Sequence, residues 1–543
     1  MKFFYFPLIR AFLLAILFTG GAWDHAAYAI TPEILKTLST GDNSERNAAI
    51  DALVSAGDVD ALPVLQALVD GTLHVTPSNE KVVILDKEMA HDALTQQIID
   101  PVPAGLEKIT INNRVRRILD SALSALKLSS PNPRVRLTAA EQLQDQVNAD
   151  FLPLIETALK KEQDSDVITA LSLAKAGIQL KNADAALRLA AVRVLAQSSR
   201  ESTKATLLAL IEKDESENYP EPDAAVRAEI KRSLAEIDSR LVTAEYIGRI
   251  FSGISLGSVL LLAALGLAIT YGLMGVINMA HGELLMIGAY TTYMVQVLFK
   301  SYWPEAFDLY LVVALPAAFM VSALVGIAME RSVIRYLYGR PLETLLATWG
   351  ISLILIQTVR TIFGAQNVEV VNPAWMSGGF ALVSNLVLPY NRIAIIVFSM
   401  IVLVLIWALL NRTRLGLFVR AVTQNRTMAD CVGVSTRKVD MWAFGLGSGV
   451  AGLGGCALSQ IGNVGPDLGQ SYIVDSFMVV VLGGVGQIAG TVFSALGLGV
   501  VNKLLEPYAG AVLAKIFILI FIIIVIQKRP QGLFSLKGRT VEN

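Results

Sequence analysis

From Phe251 onward the sequence keeps returning to uninterrupted apolar runs, each close to the thickness of a bilayer's hydrocarbon core. A helix of roughly 20 such residues satisfies its backbone hydrogen bonds internally, which is the condition for crossing lipid. The runs place spans at about 251–275, 283–299, 309–330, 343–363, 392–410, 441–461, 488–505 and 511–527. A shorter apolar piece, Phe477 to Leu482, ends in Gly483-Gly484-Val485-Gly486 and reads as a half-helix or re-entrant segment. The expected fold class is all-α: a polytopic membrane body of about eight spans plus that short segment.

The 543 residues divide near residue 245: the stretch 246–543 carries a formal charge of +7 and 1–245 carries −8. The first part reads as a water-soluble acidic domain and the second, residues 246–543, as the membrane body. A net charge of −1 gives no electrostatic basis for a nucleic-acid partner. The two cysteines, Cys431 and Cys456, both lie in the membrane part, and the four histidines are scattered. Neither a disulfide in the first domain nor a zinc or iron cluster is expected.

Residues 1–29 show a positive start with Lys2 and Arg10, a short apolar run from Ala11 to Phe18, and Ala27-Tyr28-Ala29. That order predicts a signal peptide cleaved after Ala29. Residues 30–245 then read as a periplasmic domain of short amphipathic helices. Segments starting at Glu45, Arg134 and Leu187 resemble one another, and Leu62-Pro63 and Leu152-Pro153 each open a second helix. Paired helices of this size bury their apolar stripes by stacking, so a HEAT-like solenoid is expected, interrupted by an insertion at about 71–111.

Basic residues orient the membrane body. Arg331, Arg335 and Arg340 mark one connection, Arg412 to Lys438 a second, and Lys528 to Arg539 the tail, whereas 364–389 and 462–475 contain no Lys or Arg. The positive-inside rule puts the three basic stretches, including the C-terminus, in the cytoplasm. Counting back from Arg331 then puts Tyr246 outside, in agreement with an exported first domain.

Polar side chains inside apolar spans are costly, and each is a functional candidate. They are Thr270, Asn278, His281, Glu283, Gln357, Arg360, Asp475, Gln487 and Asn502. Asn278-Met279-Ala280-His281-Gly282-Glu283 is the densest cluster, readable either as a solute contact or as an interfacial turn. The run Gly445-x-Gly447-x-Gly449-x-x-Gly452-x-Gly454-Gly455 predicts close helix packing. Between the fifth and sixth spans, Arg420 to Val434 predicts a short amphipathic surface helix with a Gln/Asn start and a Gly stop, suited to a groove on another protein.

Four ordered motifs then carry a family resemblance: Gly266 to Gly272 with Asn278 to Glu283, the block Arg426 to Val434, Val481 to Gly486, and Arg529 to Phe534. Over about residues 250–536 the chain resembles the LivH-type inner-membrane permeases of ABC importers. With a helical domain ahead of the first span, it is most similar to the urea-importing branch of that family. The resemblance implies a multi-pass transport subunit of the bacterial inner membrane rather than an enzyme, moving urea, or alternatively a branched-chain amino acid or short amide. A passive urea channel or secondary carrier is the further alternative. No Gly-x-x-x-x-Gly-Lys-[Ser/Thr] loop occurs, so the chain itself is expected to bind no cofactor, and ATP belongs to a separate cytoplasmic ATPase. A periplasmic solute-binding protein and a second homologous permease complete the implied partners, with membrane lipid around them. The resemblance assigns coupling to the ATPase to Arg420, Arg426, Met428, Ala429 and Gly433. For urea, which needs hydrogen-bonding groups and no fixed counter-charge pair, the candidate path residues are Thr270, Tyr271, Asn278, His281, Glu283 and Gln487.

Overall fold

The computed structural model describes residues 31–534 except 57–60, 77–80, 87–88, 100, 104, 146–148, 214–216 and 384–385. The expected leader at 1–29 lies outside the described residues. The chain separates into two compact units, Met1–Asp238 and Ser239–Asn543.

The first unit opens with α1 (Pro32–Thr40), α2 (Asn43–Ala56) and α3 (Leu62–Asp70). Proline stands in the first turn of α3, where its missing N–H costs nothing. The 71–111 insertion, expected only as an interruption, folds as an antiparallel sheet of β1 (Leu73–Val75), β2 (Val82–Asp86), β3 (Met89–Asp92), β4 (Ile98–Ile99) and β5 (Glu107–Lys108), in the order β4-β3-β2-β1-β5. Leu73 and Val82 of this sheet share a core with Leu38, Ile50, Leu65 and Leu119. Leu119 belongs to α4 (Asn113–Leu128), whose last residue enters a second core with α5 (Pro133–Asp145), α6 (Leu152–Lys161) and α7 (Ser165–Gln179). Next come α8 (Ala185–Leu195) and α9 (Glu201–Ile211).

A hydrogen-bond device recurs along this unit. Arg136 donates to the carbonyls of Ser130 and Pro131 (2.9 and 3.1 Å) and to both oxygens of Glu162 (2.8 and 2.9 Å). Arg188 does the same with Asn182, Ala183 and Glu221. Arg227 reaches the carbonyls of Glu221 and Pro222 at 2.8 and 2.7 Å. Each arginine ties its own helix start to the preceding turn, a structural repeat that the sequence segments only partly disclosed.

The expected boundary at 245/246 falls inside a helix. α10 (Ala224–Met274) runs unbroken for 51 residues through that position, and the unit boundary lies within it. The second unit continues with α11 (His281–Tyr302), α12 (Tyr310–Ser332), α13 (Pro341–Phe363), a hairpin of β6 (Gly379–Val383) and β7 (Leu386–Pro389), and α14 (Tyr390–Arg412). It ends with α15 (Arg414–Gln424), α16 (Arg426–Cys431), α17 (Thr436–Ser459), α18 (Leu468–Gly483) and α19 (Ile488–Lys528). Six helices among the described residues are long and apolar enough to cross a membrane: α10, α12, α13, α14, α17 and α19. The polar residues of α11 keep it outside that group, and α18 is only 16 residues long. α19 bends at Gly510, whose φ of 76° is left-handed, so its two arms occupy the places of two expected spans.

α17 forms the centre of the membrane body because its glycines leave no side chain between it and its neighbours. A Cβ on Gly447 would strike the Gly266 backbone of α10, one on Gly455 the Leu285 carbonyl of α11, and one on Gly452 Ser322 and the Ala318 carbonyl of α12. α18 ends beside the tail: Leu533 N donates to the Leu482 carbonyl at 2.9 Å.

Candidate functional site

Helical structure stops at Met274 and restarts at His281, and the restart is not at the end of the bundle. The His281 ring lies against Gly266, eight residues before α10 ends, and its Nε2 donates to the Ala263 carbonyl at 3.0 Å. Residues 275–280 therefore carry the chain back alongside α10, and α11 begins level with the middle of that helix's apolar part. Irregular backbone at such depth is tolerated where protein surrounds it, and Asn278, Ala280 and His281 are each 0% exposed.

Three of the candidate side chains in this stretch keep unused polar atoms. Asn278 Oδ1 accepts from Ala280 N at 3.1 Å, leaving Nδ2 without a partner among the described residues. His281, with its proton on Nε2 because that atom faces a carbonyl, presents an unpartnered Nδ1 acceptor. Glu283 Oε1 accepts from Ser352 Oγ at 2.9 Å while Oε2 is unpartnered and faces Gly469 at the start of α18. A donor and two acceptors are thus gathered within six residues of chain, and buried polar atoms that lack protein partners are costly unless another molecule satisfies them.

The other three candidates are placed differently. Thr270 is buried beside Gly447, toward which its methyl group points, and its hydroxyl proton is used on the Gly266 and Leu267 carbonyls of its own helix. Tyr271 is half-buried and meets Phe477 edge-on, with ring centroids 6.5 Å apart. Gln487 starts α19 next to Gly486, which packs on Gly272. Tyr271 and Gln487 thus flank a second crossing near the end of α10, away from the buried cluster. Of the remaining intramembrane candidates, Gln357 is exposed, Arg360 pairs with Asp467 at 2.7 Å, and Asp475 pairs with Lys515 at 2.9 Å beside Asn502.

Sequence reading missed the hydroxyls of α13. Thr348 Oγ1 accepts from Met279 N at 3.1 Å and Ser352 reaches Glu283, so this helix secures both the unwound segment and the carboxylate. The signal was present as Thr344, Thr348 and Ser352 at a spacing of four, on a buried face that Ile356 and Val359 continue.

At the basic end, the expected surface helix divides into α15 and α16. Asn425 caps α16 by accepting from Met428 N at 2.9 Å, and Gly433, with φ of 89°, ends the turn that follows it. Met428 is 60% exposed, whereas Ala429 is 4% exposed and seats the helix on its neighbours. Arg420 is exposed and reaches back to the Gly416 carbonyl at 3.3 Å, while Arg426 pairs with Asp440 and lies 4.7 Å from the Tyr338 ring centroid.

The profile of the family described as "Branched-chain amino acid transport system / permease component" matches residues 249–526. The chain belongs to this family. Among its relatives, the high-affinity branched-chain amino acid transport system permease protein BraD of Pseudomonas aeruginosa is 28% identical over 296 residues, covering 53% of this chain and 96% of BraD. LivH of Escherichia coli is 27% identical over 295 residues, covering 53% of this chain and 96% of LivH. A probable LivH of Methanocaldococcus jannaschii is 26% identical over 293 residues, with 51% and 88% covered. The family and the apolar helices together make the chain a multi-pass inner-membrane transport subunit rather than an enzyme.

Proposed function

We propose that this chain is the permease subunit of an ATP-driven importer that takes a small polar solute from a periplasmic binding protein to the cytoplasm. The observation that carries the reading is the unwound segment 275–280, which brings Asn278, His281 and Glu283 to the interior of the bundle. Interrupted helices that expose backbone and polar side chains at mid-depth are how transport proteins build solute contacts. In this reading the first unit stands outside, and the basic connections 331–340 and 412–438 face the cytoplasm and a separate ATPase subunit. A second, homologous permease completes the pathway.

Two solutes follow from two kinds of observation. The relatives' names favour a branched-chain amino acid. The chemistry of the cluster favours urea or a short amide: among the described residues no Lys or Arg is buried, so an amino-acid carboxylate would find no buried cation there, and Glu283 already occupies the positive end of α11. A neutral amide instead both donates and accepts at Glu283, His281 and Asn278. The first unit, which precedes the matched region 249–526, accords with the urea-importer arrangement.

The test is reconstitution in proteoliposomes with the ATPase, the second permease and the binding protein, followed by solute-stimulated ATP hydrolysis. Stimulation by urea and not by leucine supports the amide reading, and the converse supports the amino-acid reading. Solute flux through this chain alone, without ATP, would replace the importer with a passive channel.

A further inference from the structure

Two carboxylates are buried at the basic end of the membrane body, on two of the helices that pack on α11. Glu330, in the last turn of α12, is 0% exposed, and Asp440, in the first turns of α17, is 2% exposed. A buried carboxylate is costly unless paired, and the partners of these two converge on one place. Arg335 Nη2 donates to Glu330 at 3.2 Å, and Tyr338 Oη donates to the other Glu330 oxygen at 3.4 Å. The Tyr338 ring in turn carries the Arg426 guanidinium on its face at 4.7 Å, and Arg426 pairs with Asp440. Arg426 is the first residue of α16. A single side chain at the start of the short surface helix therefore grips both α17, directly, and α12, through Tyr338.

α12 and α17 are also the helices that hold the buried cluster from behind. Ser322 of α12 donates to the Leu284 carbonyl at 3.1 Å, next to Glu283, and Gly452 and Gly455 of α17 lie on Gly288 and Leu285 of α11. From α16 the route to Glu283 enters α17 directly and α12 by way of Tyr338, in the turn that follows that helix.

We propose that Arg426, Asp440, Tyr338 and Glu330 are positioning residues that convert movement of α16 into movement of α12 and α17 around the solute cluster. The proposal rests on the importer reading above. A cation held between a carboxylate and an aromatic face has direction as well as attraction, because guanidinium stacking and ion pairing both require a fixed plane. Displacing α16 then either drags both helices or breaks the pair, and breaking it leaves Asp440 buried without its partner.

The experiment uses the full complex in proteoliposomes and reads solute moved per ATP hydrolysed. Asp440→Asn and Tyr338→Phe are expected to lower that ratio about tenfold, a typical coupling free energy, while ATP hydrolysis stays near wild type. Asp440→Glu, which keeps the charge, restores the ratio. The double variant Arg426→Met/Asp440→Leu removes both charges, so it inserts without an unpaired buried group and is expected to be uncoupled as well. Wild-type ratios in Asp440→Asn or in the double variant would overturn the proposal, as would a parallel fall of uptake and hydrolysis in complexes of normal composition. If the wild-type complex shows no ATP-driven uptake, the importer reading itself fails, which separates the two outcomes.

Discussion

Glu283 holds one oxygen against Ser352 and leaves the other free in a place that water does not reach from outside. Replacing it with Gln keeps an oxygen for the Ser352 bond and nearly the same volume, so α11 keeps its place on α13. Uptake should nonetheless fall about tenfold or more, because a hydrogen bond to a charged acceptor is worth about 1.5–3 kcal/mol. Transport assays on equal amounts of inserted protein decide this, and unchanged uptake would remove Glu283 from the path. In the first unit, Arg136 and two backbone N–H groups hold the Glu162 carboxyl down at about 2, from an ordinary 4.5. A depressed folded value means that the stabilisation is complete above the unfolded value and is lost as the pH falls from 4.5 toward 2. Amide-exchange protection in α5 and α6, taken relative to the intrinsic rate at each pH, should therefore fall across that window, and Glu162→Gln should flatten the change while weakening both helices at neutral pH.

At the scale of elements, the glycines of α17 were legible and their partners were not. Their spacing announced close packing, and the structure supplies the surfaces: the Gly266, Leu285 and Ala318 backbones. Gly455→Val should lower the thermal midpoint of the detergent-solubilised protein, since overpacking against a carbonyl costs about 1–3 kcal/mol and has little room to relax. Gly497→Ala, on a stretch of α19 with nothing within 4 Å, is the matched control and should leave the midpoint unchanged. The apolar runs likewise announced most helices, because length and hydrophobicity are local properties. Where α11 starts was hidden, since only the packing of His281 on Gly266 reveals that 275–280 turns back into the bundle. Asn278 and Glu283 were recognisable as costly residues in an apolar setting, but Thr348 and Ser352, which secure the segment and the carboxylate, lie about 70 residues away and could be paired with them only in three dimensions. The sheet at 71–111 was missed because its strands are too short for alternation to stand out, at two to five residues each.

For the whole molecule, the match to shorter relatives divides the labour. BraD and LivH are aligned over 96% of their lengths to about half of this chain, and the family match begins at residue 249, beyond the first unit. A body equivalent to an entire relative should therefore carry the transport step by itself. The continuous α10 complicates the cut, because removing residues up to 245 shortens a helix whose buried membrane part begins only beyond it, at Gly253. Deleting 31–238 while keeping residues 1–30 leaves Tyr246 and Arg249, which meet Tyr508 through a 3.0 Å hydroxyl contact and a stacked guanidinium, and so preserves the contacts of that helix just before its membrane part. ATP-driven uptake by the truncated chain, normalised to inserted protein, should stay within about threefold of wild type if the first unit is accessory. A loss confined to low binding-protein concentrations would give that unit a docking role, since a docking surface alters affinity before it alters the turnover of a saturated complex. A loss at every concentration, with the complex intact, would mean that the first unit takes part in the transport cycle itself.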